Sequence, residues 1–152
     1  MYNLSHNIAH NTGEVMKKLL IAMLLMGSAL FANEMKWEKD IASAFAKAKQ
    51  ENKTVMIYVE TNNCPWCRKM KHRTLANDSV FDKLKDYVVV RTIKNSQEAQ
   101  KYGLHVKYVP TIFFYSPKEE LYQKTIGYYN VEDFLSWIGD VEKKASATKT
   151  TK

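Results

Sequence analysis

An unbroken apolar run, Val55-Met56-Ile57-Tyr58-Val59, stops just before the sequence Cys64-Pro65-Trp66-Cys67, and a helix-like segment, Arg68 to Leu75, follows at once. This order constrains the fold more than any other feature of the chain. A run that is β-branched and apolar on both faces belongs to a central strand covered on both sides. Proline is tolerated in a first helical turn because its missing donor would be unpaired there anyway. The strand should therefore cover Val55 to Glu60, Thr61-Asn62-Asn63 should be a loop, and a helix should run from Pro65 to about Leu75 with Cys64 at its tip.

Cys64 and Cys67 are the only cysteines. At this spacing two thiols can close into a small disulfide ring and open again, a two-electron change that needs only the protein's own atoms. Just before or within the first turn of a helix, the unpaired backbone N–H groups and the helix dipole favour an anion, and the thiolate is the attacking species. Arg68, Lys69, Lys71 and Arg73 add positive field. Cys64 is thus the candidate nucleophile, and Cys67, about one turn further in, the resolving thiol. A structural disulfide over so small a ring would stabilise little through loop entropy. Zinc would want two more ligands at suitable spacing, and His72 and His105 show no such pattern, so no metal or other cofactor is implied. A delivery module for copper or haem that uses the two thiols as soft ligands is the alternative from a different class of function. No Met-rich or His-rich tract accompanies it.

The rest of the chain reads as one α/β domain. Trp37, Ile41, Ala44, Phe45 and Ala48 recur at helical spacing, predicting an amphipathic helix from Lys36 to about Glu51, ended by Asn52-Lys53. Asp78 to Lys85 reads as a short helix, and Tyr87 to Val90, extending toward Ile93, as a strand. Ser96 caps a helix to Tyr102 that Gly103 ends. Thr111 to Tyr115 and Leu121 to Ile126 form a hairpin around Ser116-Pro117-Lys118-Glu119. Asn130 caps a last helix to about Lys144, and Ala145 to Lys152 reads as a polar, flexible tail. A βαβ crossover followed by a hairpin gives a mixed central sheet with helices on both faces. Tyr108, Tyr115, Tyr128 and Tyr129 read as sheet and core residues, and Met70 as core.

Three motifs in order, Cys64-Pro65-Trp66-Cys67, Tyr108-Val109-Pro110-Thr111 and Gly127-Tyr128 before the last helix, resemble the thioredoxin superfamily over roughly Lys36 to Glu142. The leading segment, Trp37 to Ala48 with Lys53 to Val59, is similar to the exported thioredoxin-like group that includes the periplasmic C-terminal domain of the Dsb-type electron transporter. The resemblance implies a thioredoxin-like fold and a protein-disulfide oxidoreductase. It also implies a cis peptide bond before Pro110, with Pro110 flanking Cys64 and the Val109 backbone pairing with a bound partner. Typical thioredoxins carry a buried aspartate six positions before the first cysteine; here that position is Tyr58. Glu60, two residues on, is either a candidate proton acceptor for Cys67 or a partly exposed acid at the loop end. Trp66 is expected on the exposed rim, in contact with substrate, with packing over the disulfide as its plainer role. The direction of electron flow stays open between a reductant and a disulfide-donating oxidant.

Upstream of the domain, Met16-Lys17-Lys18 is a short basic start, Leu19 to Met26 an apolar stretch, and Gly27-Ser28-Ala29 a run of small residues. This reads as a secretory signal peptide over 16–32, too short for a spanning helix. Residues 1–15 read as an upstream extension, and 33–144 as the folded domain. The periplasm is the expected compartment. The expected partners are exported proteins with disulfides or thiols and a membrane electron-transfer protein, the chain itself being monomeric. The net charge is +7, but the lysines are scattered, without the clustered basic face and aromatic platforms that nucleic acid requires.

Overall fold

The computed structural model describes residue 17 and residues 35–150. The upstream extension, and all of the expected signal peptide except Lys17, lie outside the described residues. Residues 35–150 form five helices and four strands. In chain order these are α1 (Ile41–Glu51), β1 (Thr54–Glu60), α2 (Pro65–Met70), α3 (Asp78–Leu84), β2 (Tyr87–Ile93), α4 (Gln97–Lys101), β3 (Thr111–Tyr115), β4 (Leu121–Ile126) and α5 (Val131–Thr150). A single π-helical turn, Lys71–Leu75, continues α2.

The sheet order is β2-β1-β3-β4. β1 pairs in parallel with β2 and antiparallel with β3, and β3 pairs antiparallel with β4. The apolar run therefore lies between two partners, as its composition demands. Because successive side chains on a strand alternate faces, β1 feeds two cores. Met56 and Tyr58 join Ile112, Phe114, Tyr87 and Val89 beneath α2, α3 and α5, and both cysteines belong to this cluster. Val55, Ile57 and Val59 join Val88, Val90 and Phe113 beneath α1 and α4.

α1 starts later than the apolar spacing predicts. Asp40 has extended backbone, and its carboxylate accepts the Ser43 N–H at 2.7 Å, so the helix begins at Ile41 rather than near Lys36. Trp37 fits the helical spacing by coincidence. Its ring packs 6.0 Å from that of Tyr58, on the other core, while the neighbouring Glu38 N–H bonds to the Val89 carbonyl at 2.8 Å and covers part of the edge of β2. The C-terminal expectation is also corrected. α5 runs on to Thr150 instead of giving way to a flexible tail after Lys144. No glycine or proline stands between Lys144 and Thr150, and adding a residue to an existing helix costs far less than nucleating one. The Ser146 and Thr148 hydroxyls donate back to the Glu142 and Lys144 carbonyls at 2.9 and 3.0 Å.

One long-range contact ties the α1/α4 layer to the sheet. Glu98, on α4, accepts the Ile41 N–H at 2.7 Å through one carboxylate oxygen and the Thr92 hydroxyl at 2.7 Å through the other. Ile41 N–H is one of the orphan donors of the α1 N-terminus, where a negative charge is also favoured, and Ile41 is fully buried. Glu98→Ala strands this donor, so unfolding in urea should show a loss of about 2 kcal/mol, the range of a charge-assisted hydrogen bond. A loss below about 0.5 kcal/mol would mean that solvent replaces the carboxylate.

Candidate active site

The dithiol lies where β1 hands over to α2. Cys64 is the N-cap, with extended backbone (φ −102°, ψ 102°), and Pro65 opens the helix. The Cys64 Sγ accepts the Cys67 N–H at 3.0 Å. A sulfur thus fills the role usually taken by a serine or aspartate oxygen, satisfying one orphan donor of the helix. The two cysteines are joined by a disulfide with Cα atoms 5.2 Å apart. Cys64 is 6% exposed and Cys67 1%.

Beneath the disulfide sits Tyr58. Its hydroxyl donates to the Cys67 carbonyl at 3.1 Å, so the fully buried ring keeps its polar end paired. Burial pushes the phenol well above its usual range, and the negative charge of Glu60 adds to this. Tyr58 is therefore a fixed neutral donor, not a proton acceptor. Glu60 ends β1 and is 7% exposed, more buried than a loop-end acid. Its carboxylate meets the Lys71 ammonium at 2.7 Å. Lys71 stands one turn beyond Cys67 and opens the π turn. Extra turns of this kind are frequent at functional sites.

The third wall comes from the segment before β3. The Val109–Pro110 peptide bond is cis. Pro110 is buried and its carbonyl accepts the Gly127 N–H at 2.8 Å, while the Thr111 hydroxyl closes back onto the Tyr108 carbonyl at 2.7 Å. Val109 packs against the cluster that contains both cysteines. Among the described residues, no hydrogen bond reaches the Val109 N–H or carbonyl. Trp66, Val109, Gly127 and Tyr128 line an open groove of ≈ 370 Å³. Trp66 is 55% exposed, as expected of a rim residue.

Tyr108 departs from its expected core role, whereas Tyr128 is half-buried and packs against the core while also facing the groove. Tyr108 is 58% exposed beside the groove. Tyr128 lies with its ring centroid 5.8 Å from that of Trp66, and the Lys69 ammonium stands over both rings, at 4.9 Å from Trp66 and 4.4 Å from Tyr128. The next residue is what holds Tyr128 there. The Tyr129 carbonyl accepts the buried Thr74 hydroxyl at 2.6 Å, and its N–H approaches the Met70 sulfur at 3.5 Å. The π turn therefore anchors the loop that completes the groove. No spacing rule marks Tyr128; the only sequence signal was its position after Gly127, whose φ of +99° suits glycine. Among the described residues, no three His, Cys, Asp or Glu side chains gather as a metal site.

A family model described as a Thioredoxin-like domain matches residues 41–142. No curated protein matches the chain. Among solved structures, a thioredoxin from Thermus thermophilus is similar at 25% identity and a TM-score of 0.66, over 76% of this chain and 92% of that one. A DsbH oxidoreductase is similar at 20% identity and a TM-score of 0.60, over 76% and 89%. The oxidised C-terminal domain of Neisseria meningitidis DsbD is similar at 18% identity and a TM-score of 0.51, over 63% and 87%.

Proposed function

The chain belongs to the thioredoxin-like family, and we propose that it is an exported thiol–disulfide oxidoreductase that reduces or exchanges disulfides of other exported proteins. The observation that carries this reading is the position of Cys64. Its sulfur caps a helix and accepts the Cys67 N–H at 3.0 Å, beside a groove whose Val109 backbone has no hydrogen-bond partner among the described residues. In the reduced protein the same N–H stabilises a Cys64 thiolate, which raises the reactive fraction at neutral pH.

A partner's extended segment lies along the groove and pairs with the free Val109 N–H and carbonyl. Pro110 holds that segment close to Cys64, and Trp66 contacts it from the rim. The Cys64 thiolate attacks one sulfur of the partner's disulfide. A Cys64–partner S–S bond forms, the partner's own S–S bond breaks, and the departing thiolate takes a proton. Cys67 then loses its proton, for which Glu60 is the assigned acceptor, and attacks the Cys64 sulfur. The Cys64–Cys67 disulfide forms and the second partner thiol leaves. The partner's disulfide has gained two electrons and the protein has lost them; a membrane-bound dithiol partner restores the reduced state by the reverse exchange. The basic start and apolar stretch before residue 33 support export to the periplasm.

Removing the resolving thiol tests this sequence of bonds. In an export-competent cell, Cys67→Ser should accumulate mixed disulfides through Cys64, seen as higher bands on non-reducing gels that collapse on adding reductant. Cys64→Ser/Cys67→Ser should accumulate none. An empty lane for the single variant would count against exchange through these two residues.

A further inference from the structure

Around the groove, the exposed Trp66 and Tyr108 and the half-buried Tyr128 each lie against a lysine. Lys69 stands over Trp66 and Tyr128 on one side. On the other side the Lys107 ammonium stands 5.3 Å from the Tyr108 ring centroid, and Lys94 donates to the Lys107 carbonyl at 2.8 Å. Arg68 and His72 are exposed on the same stretch, α2 and its π turn. The acid placed at this end of β1, Glu60, is already held by Lys71 at 2.7 Å. Among the described residues, Lys69, Lys94 and Lys107 have no carboxylate partner.

A cation over an aromatic face is attracted and oriented by the ring's quadrupole. The ring occupies one side of the ammonium and leaves N–H donors directed outward. The rim thus presents fixed positive charge on either side of an apolar slot with unpaired backbone. Such a surface complements an extended segment carrying carboxylates next to its reactive cysteine, and it repels one carrying lysines.

We propose that this groove selects partners whose disulfide is flanked by acidic residues, with Lys69 and Lys107 as the specificity-determining side chains. The proposal rests on the exchange reading above and goes further by naming the chemical class of the partner segment. In the complex, apolar side chains next to the partner's cysteine pack on Trp66 and Tyr128, and carboxylates one or two positions away meet the lysines.

The test uses the full chain, reduced, and three synthetic peptides, each with one cysteine joined in a disulfide to the same small neutral thiol. The residues flanking the cysteine are glutamates in one peptide, glutamines in the second and lysines in the third. The initial rate of exchange should follow the order glutamate, glutamine, lysine, with about a tenfold span at low ionic strength, a size typical of modest electrostatic steering. The span should collapse in about 1 M salt, where charges are screened within ~3 Å. In Lys69→Gln/Lys107→Gln the glutamate-to-lysine rate ratio should fall toward one. Equal rates of the three peptides with wild-type protein overturn the selectivity while leaving the exchange reading intact. Failure of all three, together with failure to reduce the neutral hydroxyethyl disulfide, overturns the exchange reading itself. Equal peptide rates with binding to anionic vesicles that the double substitution weakens would assign the lysines to a lipid surface and overturn the proposal.

Discussion

Cys64→Ser is expected to bring insulin-disulfide reduction down to the rate of the reductant alone, a loss of about three orders of magnitude or more, as for removal of any catalytic nucleophile. The hydroxyl keeps the shape of the cap and can still accept the Cys67 N–H that now reaches sulfur at 3.0 Å, so the fold should be retained. What disappears is the sulfur, the atom that as a thiolate forms a reversible covalent bond to another sulfur. Cys67 cannot substitute for it, because at 1% exposure it lies under the helix tip. Turbidity of reduced insulin, with circular dichroism to verify folding, measures the effect. Activity above about a tenth of wild type in a folded variant would remove the nucleophile assignment.

The second large effect is on stability. Phe114→Ala should cost about 3–5 kcal/mol, the usual range for truncating a buried phenylalanine. Phe114 is fully buried on β3, with its ring 6.0 Å from Tyr87 and 6.3 Å from Phe134. It therefore joins β2, β3 and α5 within the core that also holds both cysteines. Neighbours on three elements cannot all move in to fill the space, so a cavity adds to the lost burial. Against a domain stability of about 5–15 kcal/mol, that loss removes a large share. Phe114→Leu keeps most of the volume and should cost less than about 1.5 kcal/mol. Urea titration of the two variants should separate them clearly. A loss below about 1 kcal/mol for Phe114→Ala would mean that the packing of this face is far more plastic than its burial implies.

Much of the fold was legible because the local signals agreed with one another. The apolar run over Val55 to Val59 allowed only a central strand, and β1 has partners on both sides. Ser96, Asn130, Gly103 and Pro65 marked helix ends through the backbone groups they satisfy or cannot supply, and each stands at such an end. The misreadings have a common origin in one-dimensional pattern. Trp37 matched the α1 spacing, yet the Asp40 cap starts the helix after it and its ring packs across the sheet on Tyr58. The polar composition after Lys144 hid a helix that needs no packing to continue, only the absence of a breaker. Tyr108 looks like a core residue by type; its exposure is set by a loop that no periodicity describes.

Chain order alone carries the reactive core: two thiols three positions apart at the start of a helix, a proline before a strand, and a central apolar strand to deliver them. Covalent spacing and the helix rise settle those relations within a few residues. What surrounds the sulfurs comes instead from long-range packing. Thr74, Met70 and Tyr129 meet across 55 to 59 residues of chain and carry Tyr128 to Trp66, while Glu60 finds Lys71 eleven residues on. Contacts of that reach depend on how helices settle on a sheet, and they are fixed by packing in three dimensions that no local pattern encodes.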